Sequence, residues 1–284
     1  MADPILKWAG GKRQLIPNIL AQFPRDYKQR AFHEPFFGGG AVFFKIKPKQ
    51  GSINDVNPRL MNLYRVVRDN PTELIELAKT YRHDKDEFYT FRDRFNELGL
   101  SDIEDASLLL YLNKTSFNGL YRVNSKGKFN VPFGRYKNPT IVDEKRIKEA
   151  SIILQNVNIF CTDFTYVIEH SQEGDLCYFD PPYLPISDTA DFTSYSKDGF
   201  SYDDQIRLRD TCIKLDEKGV LFVLSNSYVE ALVGKYREVE NFKVEVVQAN
   251  RAINSVADKR GPVDEILVTN INKSHSSLYS FLKN

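Results

Sequence analysis

The sequence predicts an α/β fold in which a doubly wound sheet is built from two separate pieces of the chain. Short strand signals alternate with helix signals both before residue 58 and after residue 152. Several strand signals in the second piece are near-continuous apolar runs, which are typical of strands covered on both faces. We expect a core domain at 1–58 and 152–272, a mostly helical insert at 59–151 and a flexible tail at 273–284.

Each element of this prediction follows from a local pattern. Two short strands are expected at 31–36, where the chain runs into three glycines, and at 52–55. Asn57 can cap a helix that Pro58 begins, and a second helix begins at Asn70-Pro71, because both stretches repeat apolar residues at helical spacing. The same patterns predict helices at 108–112, 203–215 and 228–236, and strands at 158–160, 176–179, 220–224, 244–247 and 266–268.

The composition excludes several classes of protein. Of the 284 residues, 42% are apolar and 27% are charged, which is ordinary for a soluble globular protein. No run approaches the ~20 apolar residues of a membrane span, and the N-terminus lacks the layout of a secretory signal. The cysteines (Cys161, Cys177 and Cys212) show no spacing typical of a disulfide framework or a zinc site. We therefore expect a reduced, cytoplasmic protein without a metal site or a membrane partner.

One segment of this near-neutral chain is strongly basic. Residues 114–148 contain nine Lys and Arg but only two acids, a local excess of seven positive charges, and five aromatic residues interleave them. Charge alone suits a solvated face as well as a nucleic-acid interface, but the aromatic residues favour a surface that faces phosphates. Within the segment, the turn-rich stretch 124–128 between apolar neighbours predicts a hairpin or a protruding loop.

A glycine-rich turn and one acid predict a nucleoside ligand. Gly38, Gly39 and Gly40 follow the first strand, and Asp55 ends the second strand seventeen residues after Gly38. Ligands of open α/β sheets bind beyond the carboxyl ends of the strands, where such an acid can accept both ribose hydroxyls. NAD and S-adenosylmethionine both fit this pattern, but the turn lacks the GxGxxG order of a dinucleotide site, which weakens NAD.

The most informative segment is Asp180-Pro181-Pro182-Tyr183, which directly follows the strand at 176–179. Two prolines cannot continue a ladder, so the strand must end here. The Asp180 carboxylate and the Pro181 carbonyl can both accept hydrogen bonds from one amino group, while Tyr183 offers a flat ring. A strand-terminating loop with a buried aromatic residue is the structural alternative.

This arrangement suits methylation of the exocyclic N6 of adenine. That nitrogen is a poor nucleophile because its lone pair is delocalised into the ring, and two acceptors on its hydrogens favour a pyramidal nitrogen that can attack a sulfonium methyl group in line. Positioning and electrostatics supply the rate, and the reaction needs no metal and no covalent enzyme intermediate. A base inside a duplex must first be flipped out, and Tyr183 is the candidate ring on which it would stack.

Six segments together resemble the Dam-type DNA adenine-N6 methyltransferases, the class related to GATC-specific enzymes. They occur in the family's order and cover nearly the whole chain, to about residue 272: KWAGGK at 7–12, EPFFGGG at 34–40, NDVN at 54–57, FNGLYRVN at 117–124, FNVPFGRY at 129–136 and DPPY at 180–183. The resemblance implies a Rossmann-like S-adenosylmethionine-dependent methyltransferase core with a mostly helical DNA-recognition insert that carries a β-hairpin. It implies double-stranded DNA as the partner, a GATC-like target as the leading guess, and a possible pairing with a restriction endonuclease.

The resemblance also implies roles for individual residues. Those implied to surround the cofactor are Trp8, Lys12, Phe36, Gly38, Gly40, Asp55, Asp163, Phe164 and Asp180. Those implied to contact DNA are Lys7, Phe117, Asn118, Leu120, Arg122, Asn124 and Pro132. Arg122 resembles an arginine that contacts guanine, which agrees with bidentate Arg–guanine geometry. Catalysis is assigned to Asp180, Pro181, Pro182 and Tyr183, and 192–195 resembles a mobile loop near the flipped nucleotide.

Three other functions remain open at this point. A methyltransferase for an RNA or protein amino group would more often carry Asn in place of Asp180 and would lack the basic insert. A non-catalytic DNA-binding protein with a relic cofactor fold would not need the intact segment at 180–183. An NAD-linked oxidoreductase is disfavoured by the order of the glycines. Arg251 suits a phosphate contact and a surface arginine equally well.

Overall fold

A computed structural model describes residues 3–10, 12, 14–183, 200–250 and 262–272. Contacts between Cα atoms divide the chain into two compact units, the first formed by 1–12 with 37–163 and the second by 13–36 with 164–284. The predicted insert at 59–151 lies within the first unit, and the predicted domain boundaries stay a prediction. Three sequence predictions lie outside the described residues: the tail at 273–284, the loop at 192–195 and the phosphate contact of Arg251.

Helices and strands alternate along the described residues. The strands are β1 (Phe32–Glu34), β2 (Gly51–Asn54), β3 (Val157–Phe160), β4 (Leu176–Phe179), β5 (Leu221–Ser227), β6 (Lys243–Asn250) and β7 (Pro262–Thr269). The α-helices are α1 (Ile16–Gln22), α2 (Ala41–Ile46), α3 (Pro58–Asp69), α4 (Pro71–Lys79), α5 (Lys85–Phe95), α6 (Asp102–Thr115), α7 (Glu144–Leu154), α8 (Val167–His170), α9 (Tyr202–Glu217) and α10 (Glu230–Arg237). Every helix and strand predicted from the sequence is present, with bounds that differ by a few residues.

In the first unit, β2 pairs in parallel with β3, and five helices from α3 to α7 form most of the remainder. Asn57 caps α3, because its Oδ1 accepts hydrogen bonds from the backbone N–H groups of Arg59 and Leu60. Helix α6 is buried around nearly its whole circumference and packs against α3, α4 and α5. The basic segment at 114–148 therefore begins in the last turn of the helix at the centre of this cluster.

In the second unit, the strand order is β1-β4-β5-β7-β6. Strands β1, β4 and β5 are parallel, whereas β7 is antiparallel to both β5 and β6. Strand β4 is completely buried and ends at Phe179, where the two prolines predict its end. Strand β5 runs three residues further than predicted, so that Ser225, Asn226 and Ser227 continue it as buried polar residues.

The prediction that the run at 244–247 is covered on both faces is wrong. Strand β6 ends the strand order of this unit, and Val246 is 44% exposed while Val247 is buried. An antiparallel edge strand can keep one face in solvent, and this explains the exposure of Val246. Within the described residues, none of the helices has both the length and the apolar character that crossing a lipid bilayer requires.

Candidate active site

In the first unit, Asp55 is anchored where β2 ends. Its Oδ2 accepts a hydrogen bond from the backbone N–H of Gly38 at 3.0 Å, and its Oδ1 accepts one from the N–H of Asn57 at 2.9 Å. Burial raises the pKa of the Asp55 carboxyl, and the two backbone hydrogen bonds oppose this shift. A carboxylate has about four lone-pair sites, so these two hydrogen bonds within the described residues leave each oxygen able to accept another.

The glycines beside Asp55 are required by the packing of this unit. Gly38 and Gly40 both have positive φ, at 49° and 66°, which favours glycine. A Cβ at Gly38 would lie 2.8 Å from Cδ1 of Trp8, and a Cβ at Gly40 would overlap the ring of Phe37. The space beside these two glycines is therefore filled by aromatic rings of the protein itself.

The N-terminal segment is held against the turn that follows α6. The ring of Trp8 stacks on that of Tyr121, with centroids 5.2 Å apart and an interplanar angle of 21°. Asn113 of α6, which is 1% exposed, bonds both the N–H and the carbonyl of Lys7, and its Nδ2 also donates to the carbonyl of Gly119. The buried amide of Asn113 thus fixes Lys7, which is predicted to contact DNA, and Gly119, which lies near the start of the predicted hairpin.

Lys12 takes part in a second contact of the same segment. Its side chain is almost completely buried, and its Nζ donates a hydrogen bond to the carbonyl of Gly10 at 2.9 Å. Burial of an ammonium group is costly without such partners. The N-terminal segment therefore carries a buried cation that is paired with the Gly10 carbonyl.

The chain folds back on itself between residues 116 and 133. The segment contains a 3-10 turn at Phe117–Gly119 and two isolated antiparallel bridges, Ser116 with Phe133 and Val123 with Phe129. The backbone N–H of Asn130 donates to the carbonyl of Arg122, and that of Asn124 to the carbonyl of Lys128. This is the position of the predicted hairpin, although the structure has single bridges there instead of continuous strands.

The residues predicted to contact DNA lie largely on the surface of the first unit. Leu120 is half-buried, Phe117 is 51% exposed, and the exposed remainder comprises Lys7, Asn118, Arg122, Asn124 and Pro132. Nε of Arg122 donates to Oδ1 of Asn130 at 2.8 Å. Among the described residues, no acidic side chain forms an ion pair with the exposed Lys126, Lys128, Arg135 or Lys137.

In the second unit, a hydroxyl pair orients Asp180. Oγ of Ser225 lies 3.2 Å from Oδ1 of Asp180 and 2.8 Å from the hydroxyl of Tyr178. Complete burial, followed by the charge of Asp180, raises the pKa of Tyr178 well above its ordinary value, so Tyr178 stays a neutral donor. When Ser225 donates its single hydroxyl hydrogen to the Asp180 carboxylate, the hydroxyl of Tyr178 is the donor to Ser225.

The residues after Asp180 have partners of their own. Nε2 of Gln205 donates to the carbonyl of Pro182 at 3.0 Å. The hydroxyl of Tyr183 donates to Oε2 of Glu265 at 2.7 Å. Burial raises the pKa of Tyr183 well above its ordinary value, and the charges of Asp180 and Glu265 add to this shift. Tyr183 is therefore a neutral side chain whose ring is held at its far end.

An aromatic cluster lies beside this segment in the second unit. The rings of Phe36 and Phe164 stack with centroids 5.2 Å apart, and Phe200 packs edge-on against Phe36 at 5.5 Å. The guanidinium of Arg207 lies 5.1 Å from the centroid of Phe164. Phe164 is 4% exposed and Phe36 is half-buried, so the ring of Phe36 is the more accessible of the two.

A comparison with protein families assigns the chain. The model of the D12 class N6 adenine-specific DNA methyltransferases matches residues 8–253. The chain belongs to this family. Its relatives include the Type II methyltransferase M1.LlaDCHI of Lactococcus lactis subsp. cremoris, which is 45% identical over 94% of this chain and 95% of its own length. The Type II methyltransferase M.MjaIII of Methanocaldococcus jannaschii is 43% identical over 94% and 98%. A DNA adenine methylase of Vibrio cholerae is 36% identical over 92% and 94%.

Membership in the D12 class confirms the main predictions from sequence. The chain is an adenine-specific DNA methyltransferase with an α/β methyltransferase core, and DNA is its partner. The family is neither one of NAD-linked oxidoreductases nor one of RNA or protein methyltransferases. The resemblance stated from the six sequence segments is therefore correct.

For this D12 methyltransferase, the structure gathers the predicted residues in two groups. The first unit holds Trp8, Lys12, Gly38, Gly40, Asp55, Asp163 and all the predicted DNA contacts, with Asp163 exposed. The second unit holds Phe36, Phe164 and the residues Asp180, Pro181, Pro182 and Tyr183. Within the described residues, no group of three or more His, Cys, Asp or Glu residues suits a metal ion.

Several buried polar residues of these two groups are not apparent from the sequence. Asn113, Gln205, Ser225 and Glu265 all bond a predicted site residue or its neighbour. The polar triplet at 225–227 directly after an apolar run is a signal that could reveal Ser225, since it lies at the carboxyl end of a strand. The other three lie in ordinary helix or strand patterns and carry no comparable signal.

Proposed function

We propose that this chain transfers a methyl group from S-adenosylmethionine to N6 of an adenine that is flipped out of double-stranded DNA, within a GATC-like site. The observation that carries this proposal is the structural environment of the Asp180 carboxylate. Its carboxylate follows a buried strand, is oriented by Ser225, and is adjacent in sequence to Pro181, which has no N–H but keeps its carbonyl as an acceptor. Two acceptors on one chain segment match the two hydrogens of an exocyclic amine.

The residues of the second unit would act on the amine. Asp180 and the Pro181 carbonyl accept its two hydrogens and direct the nitrogen lone pair away from the base ring. Tyr183 stacks against the base, a contact worth about 1–3 kcal/mol per base in single-strand binding. S-adenosylmethionine, when bound, supplies an electrophilic methyl group on a sulfonium. Because the acceptors are fixed before the base arrives, their orientation requires no reorganisation during the reaction.

The residues present fit this cofactor. Each oxygen of Asp55 accepts one hydrogen bond within the described part of the chain and can accept a second, which matches the two hydroxyls of a ribose. Half-buried Phe36 would offer part of its ring to the adenine, with Phe164, which is 4% exposed, supporting it from behind. We assign the remaining cofactor contacts to Trp8, Lys12, Gly38, Gly40, Asp163 and Asp180.

The DNA contacts of the proposal fall on the surface of the first unit. Exposed Arg122 would read a guanine through two parallel hydrogen bonds. Leu120 and Pro132 make apolar base contacts, and Phe117 lies near the place that the flipped base leaves. Lys7, Asn118 and Asn124 complete the set. We further propose a restriction endonuclease as functional partner, because two of the relatives carry the name Type II methyltransferase.

Incubation of a GATC-containing plasmid with the protein and labelled S-adenosylmethionine tests this proposal. Digestion with nucleases that are blocked by, or depend on, adenine methylation then locates the label. We expect label on N6 of adenine and a changed digestion pattern at GATC sites. Label on adenine outside GATC would reject the target only, whereas absence of N6-methyladenine in every sequence would reject the reaction.

The affinity for S-adenosylmethionine should depend on the protonation of Asp55. The carboxylate is the form that accepts ribose hydroxyls, and burial raises its pKa. Affinity is therefore complete above this raised pKa and is lost as the pH falls through it. Asp55→Asn should lower the affinity at neutral pH roughly tenfold, because one charged acceptor is replaced by a neutral one.

Equilibrium binding of S-adenosylmethionine to the protein alone, without DNA, measures this effect across the acidic range. Asp203→Asn, which changes an exposed carboxylate of α9, is the matched control and should bind like the wild type. An Asp55→Asn variant with unchanged affinity and an unchanged pH profile would remove Asp55 from the cofactor site.

A further inference from the structure

Two amide side chains are completely buried in the second unit, next to the segment at 180–183. Gln205, in the first turns of α9, and Asn226, near the end of β5, are both 0% exposed. Buried amides are costly unless their donors and acceptors are paired. The hydrogen-bond partners of Gln205 and Asn226 therefore indicate which backbone groups the fold holds in a defined orientation.

The two side-chain amides form a series of hydrogen bonds that links the backbone of Ser227 to the backbone of Pro182. Oδ1 of Asn226 accepts from the N–H of Ser227 at 2.9 Å, and Nδ2 of Asn226 donates to Oε1 of Gln205 at 2.8 Å. Nε2 of Gln205 donates to the carbonyl of Pro182 at 3.0 Å. We call Gln205 and Asn226 the amide relay, because each amide fixes the rotation of the next and the last one holds Pro182.

The amide relay restricts the peptide plane that precedes Pro182. The pyrrolidine ring of Pro182 fixes its φ near −65°. The hydrogen bond from Gln205 fixes the direction of the Pro182 carbonyl, and hence ψ of the same residue. With both dihedrals of Pro182 set, the Pro181–Pro182 peptide plane, which carries the Pro181 carbonyl, has one direction relative to the amide relay.

The other side of this carbonyl is fixed independently. Ser225, two strand positions from Ser227, bonds the Asp180 carboxylate at 3.2 Å. The consecutive polar residues at the end of β5 thus hold the chain on both sides of Pro181. Neither Gln205 nor Asn226 bonds Asp180 or Tyr183 directly among the described contacts, so their effect on the site passes through Pro182.

We propose that Gln205 and Asn226 are positioning residues for methyl transfer, and that the amide relay directs the Pro181 carbonyl toward a hydrogen of the target amine. This inference rests on the proposed function and extends it, since it names the residues that set one of the two acceptors. Misplacement of reacting groups by about 1 Å can cost roughly 100-fold in rate. We therefore expect the amide relay to act on kcat and not on substrate binding.

Three variants and a control test the amide relay. Gln205→Met removes both hydrogen bonds at similar volume. Gln205→Glu keeps the acceptor toward Asn226 and regains a donor toward Pro182 only when its carboxyl is protonated. Asn226→Leu removes the first link. Thr211→Val is the control, because Thr211 is 2% exposed on the same helix and donates to the Arg207 carbonyl within that helix.

The measurements are kcat and KM on a GATC duplex, the thermal midpoint, and the fluorescence of a duplex with 2-aminopurine in place of the target adenine. We expect Gln205→Met to lose roughly 10- to 100-fold in kcat. KM for DNA, the midpoint and the 2-aminopurine signal should stay near those of the wild type and of Thr211→Val. The rate of Gln205→Glu relative to wild type at the same pH should rise as the pH falls.

Double substitution tests whether the two amides act as one unit. Gln205→Met combined with Asn226→Leu should be no slower than the worse single variant, because either change alone already interrupts the series of hydrogen bonds. Losses that multiply would overturn the relay, as would a Gln205→Met enzyme with kcat within about threefold of wild type or with its loss confined to KM. If Gln205→Met does not fold, the pH profile of Gln205→Glu decides, and a constant ratio to wild type overturns the proposal. A wild-type protein that methylates no adenine would instead refute the proposed function.

Discussion

Replacement of Asp180 by alanine should abolish methyl transfer. The change removes the charged acceptor and leaves the Pro181 carbonyl as the single group that holds the amine. Loss of one preorganised hydrogen-bonding group at a reacting centre costs roughly 10²–10³-fold in kcat, and a charged acceptor belongs at the upper end of this range. Single-turnover methylation of a GATC duplex, at saturating cofactor and enzyme, measures the chemical step directly.

The fold of the Asp180→Ala variant should persist. Asp180 is only half-buried and lies after the end of β4, and Ser225 keeps the hydroxyl of Tyr178 as a hydrogen-bond partner. The thermal midpoint and the affinity for duplex DNA are the controls, with Asp203→Ala as an exposed acid outside the site. Activity of Asp180→Ala near that of wild type would refute the two-acceptor mechanism, whatever the structure of the variant.

Asp180→Asn separates charge from shape. Asparagine retains one oxygen that can accept from Ser225 or from the amine, but its NH₂ group is a donor and repels the hydrogens of an amine. We expect an activity between those of wild type and Asp180→Ala. An asparagine variant slower than the alanine variant would mean that the amide rotates its NH₂ group toward the target, which still assigns Asp180 to contact with the amine.

Local chemistry explains which parts of the fold could be predicted from the sequence. Asn57 and Pro58 define the start of α3 through contacts within three residues, and the two prolines after Asp180 end β4 through their own covalent structure. Such signals need no information from the rest of the chain. The apolar run at 244–247 is different, because whether a strand is central or at an edge depends on its neighbours in the sheet.

The glycine turn shows a limit of interpretation from residue type. Gly38 and Gly40 predict that a ligand can approach the backbone, and this stays a prediction. What approaches them in the structure is the ring of Trp8 and the ring of Phe37. A glycine in the sequence indicates that a Cβ would not be accommodated there, and only the folded structure shows which atoms occupy the space.

Long-range pairs account for the residues that the sequence does not reveal. Asn113 bonds Lys7 across 106 positions, and Glu265 bonds Tyr183 across 82. Gln205 lies on an amphipathic helix where a polar residue is ordinary, and its burial depends on contact with Pro182. Motifs identify groups that carry out chemistry, whereas the groups that orient them are defined by tertiary contacts and leave little trace in the local pattern.

Arg122→Ala should relax the choice of one base pair in the target. Arg122 is exposed, its Nε donates to Oδ1 of Asn130, and its Nη2 donates to the Asn130 carbonyl at 3.4 Å. These two contacts fix the guanidinium plane and leave Nη1 and the second N–H of Nη2 for a base. Two parallel donors match O6 and N7 of guanine in the major groove. We expect discrimination against a substituted pair at one position to fall by about 1–3 kcal/mol, with smaller changes at the other positions.

Initial rates on GATC duplexes that carry single base-pair substitutions, measured for wild type and variant, give this discrimination as ratios of kcat/KM. Lys126→Ala is the matched control, because Lys126 is an exposed cation in the same folded-back segment. A phosphate contact should weaken binding to all sequences alike and reduce the slope of affinity against salt by about one. If Arg122→Ala behaves in this second way, Arg122 holds the backbone of DNA, and another residue of the segment must read the base.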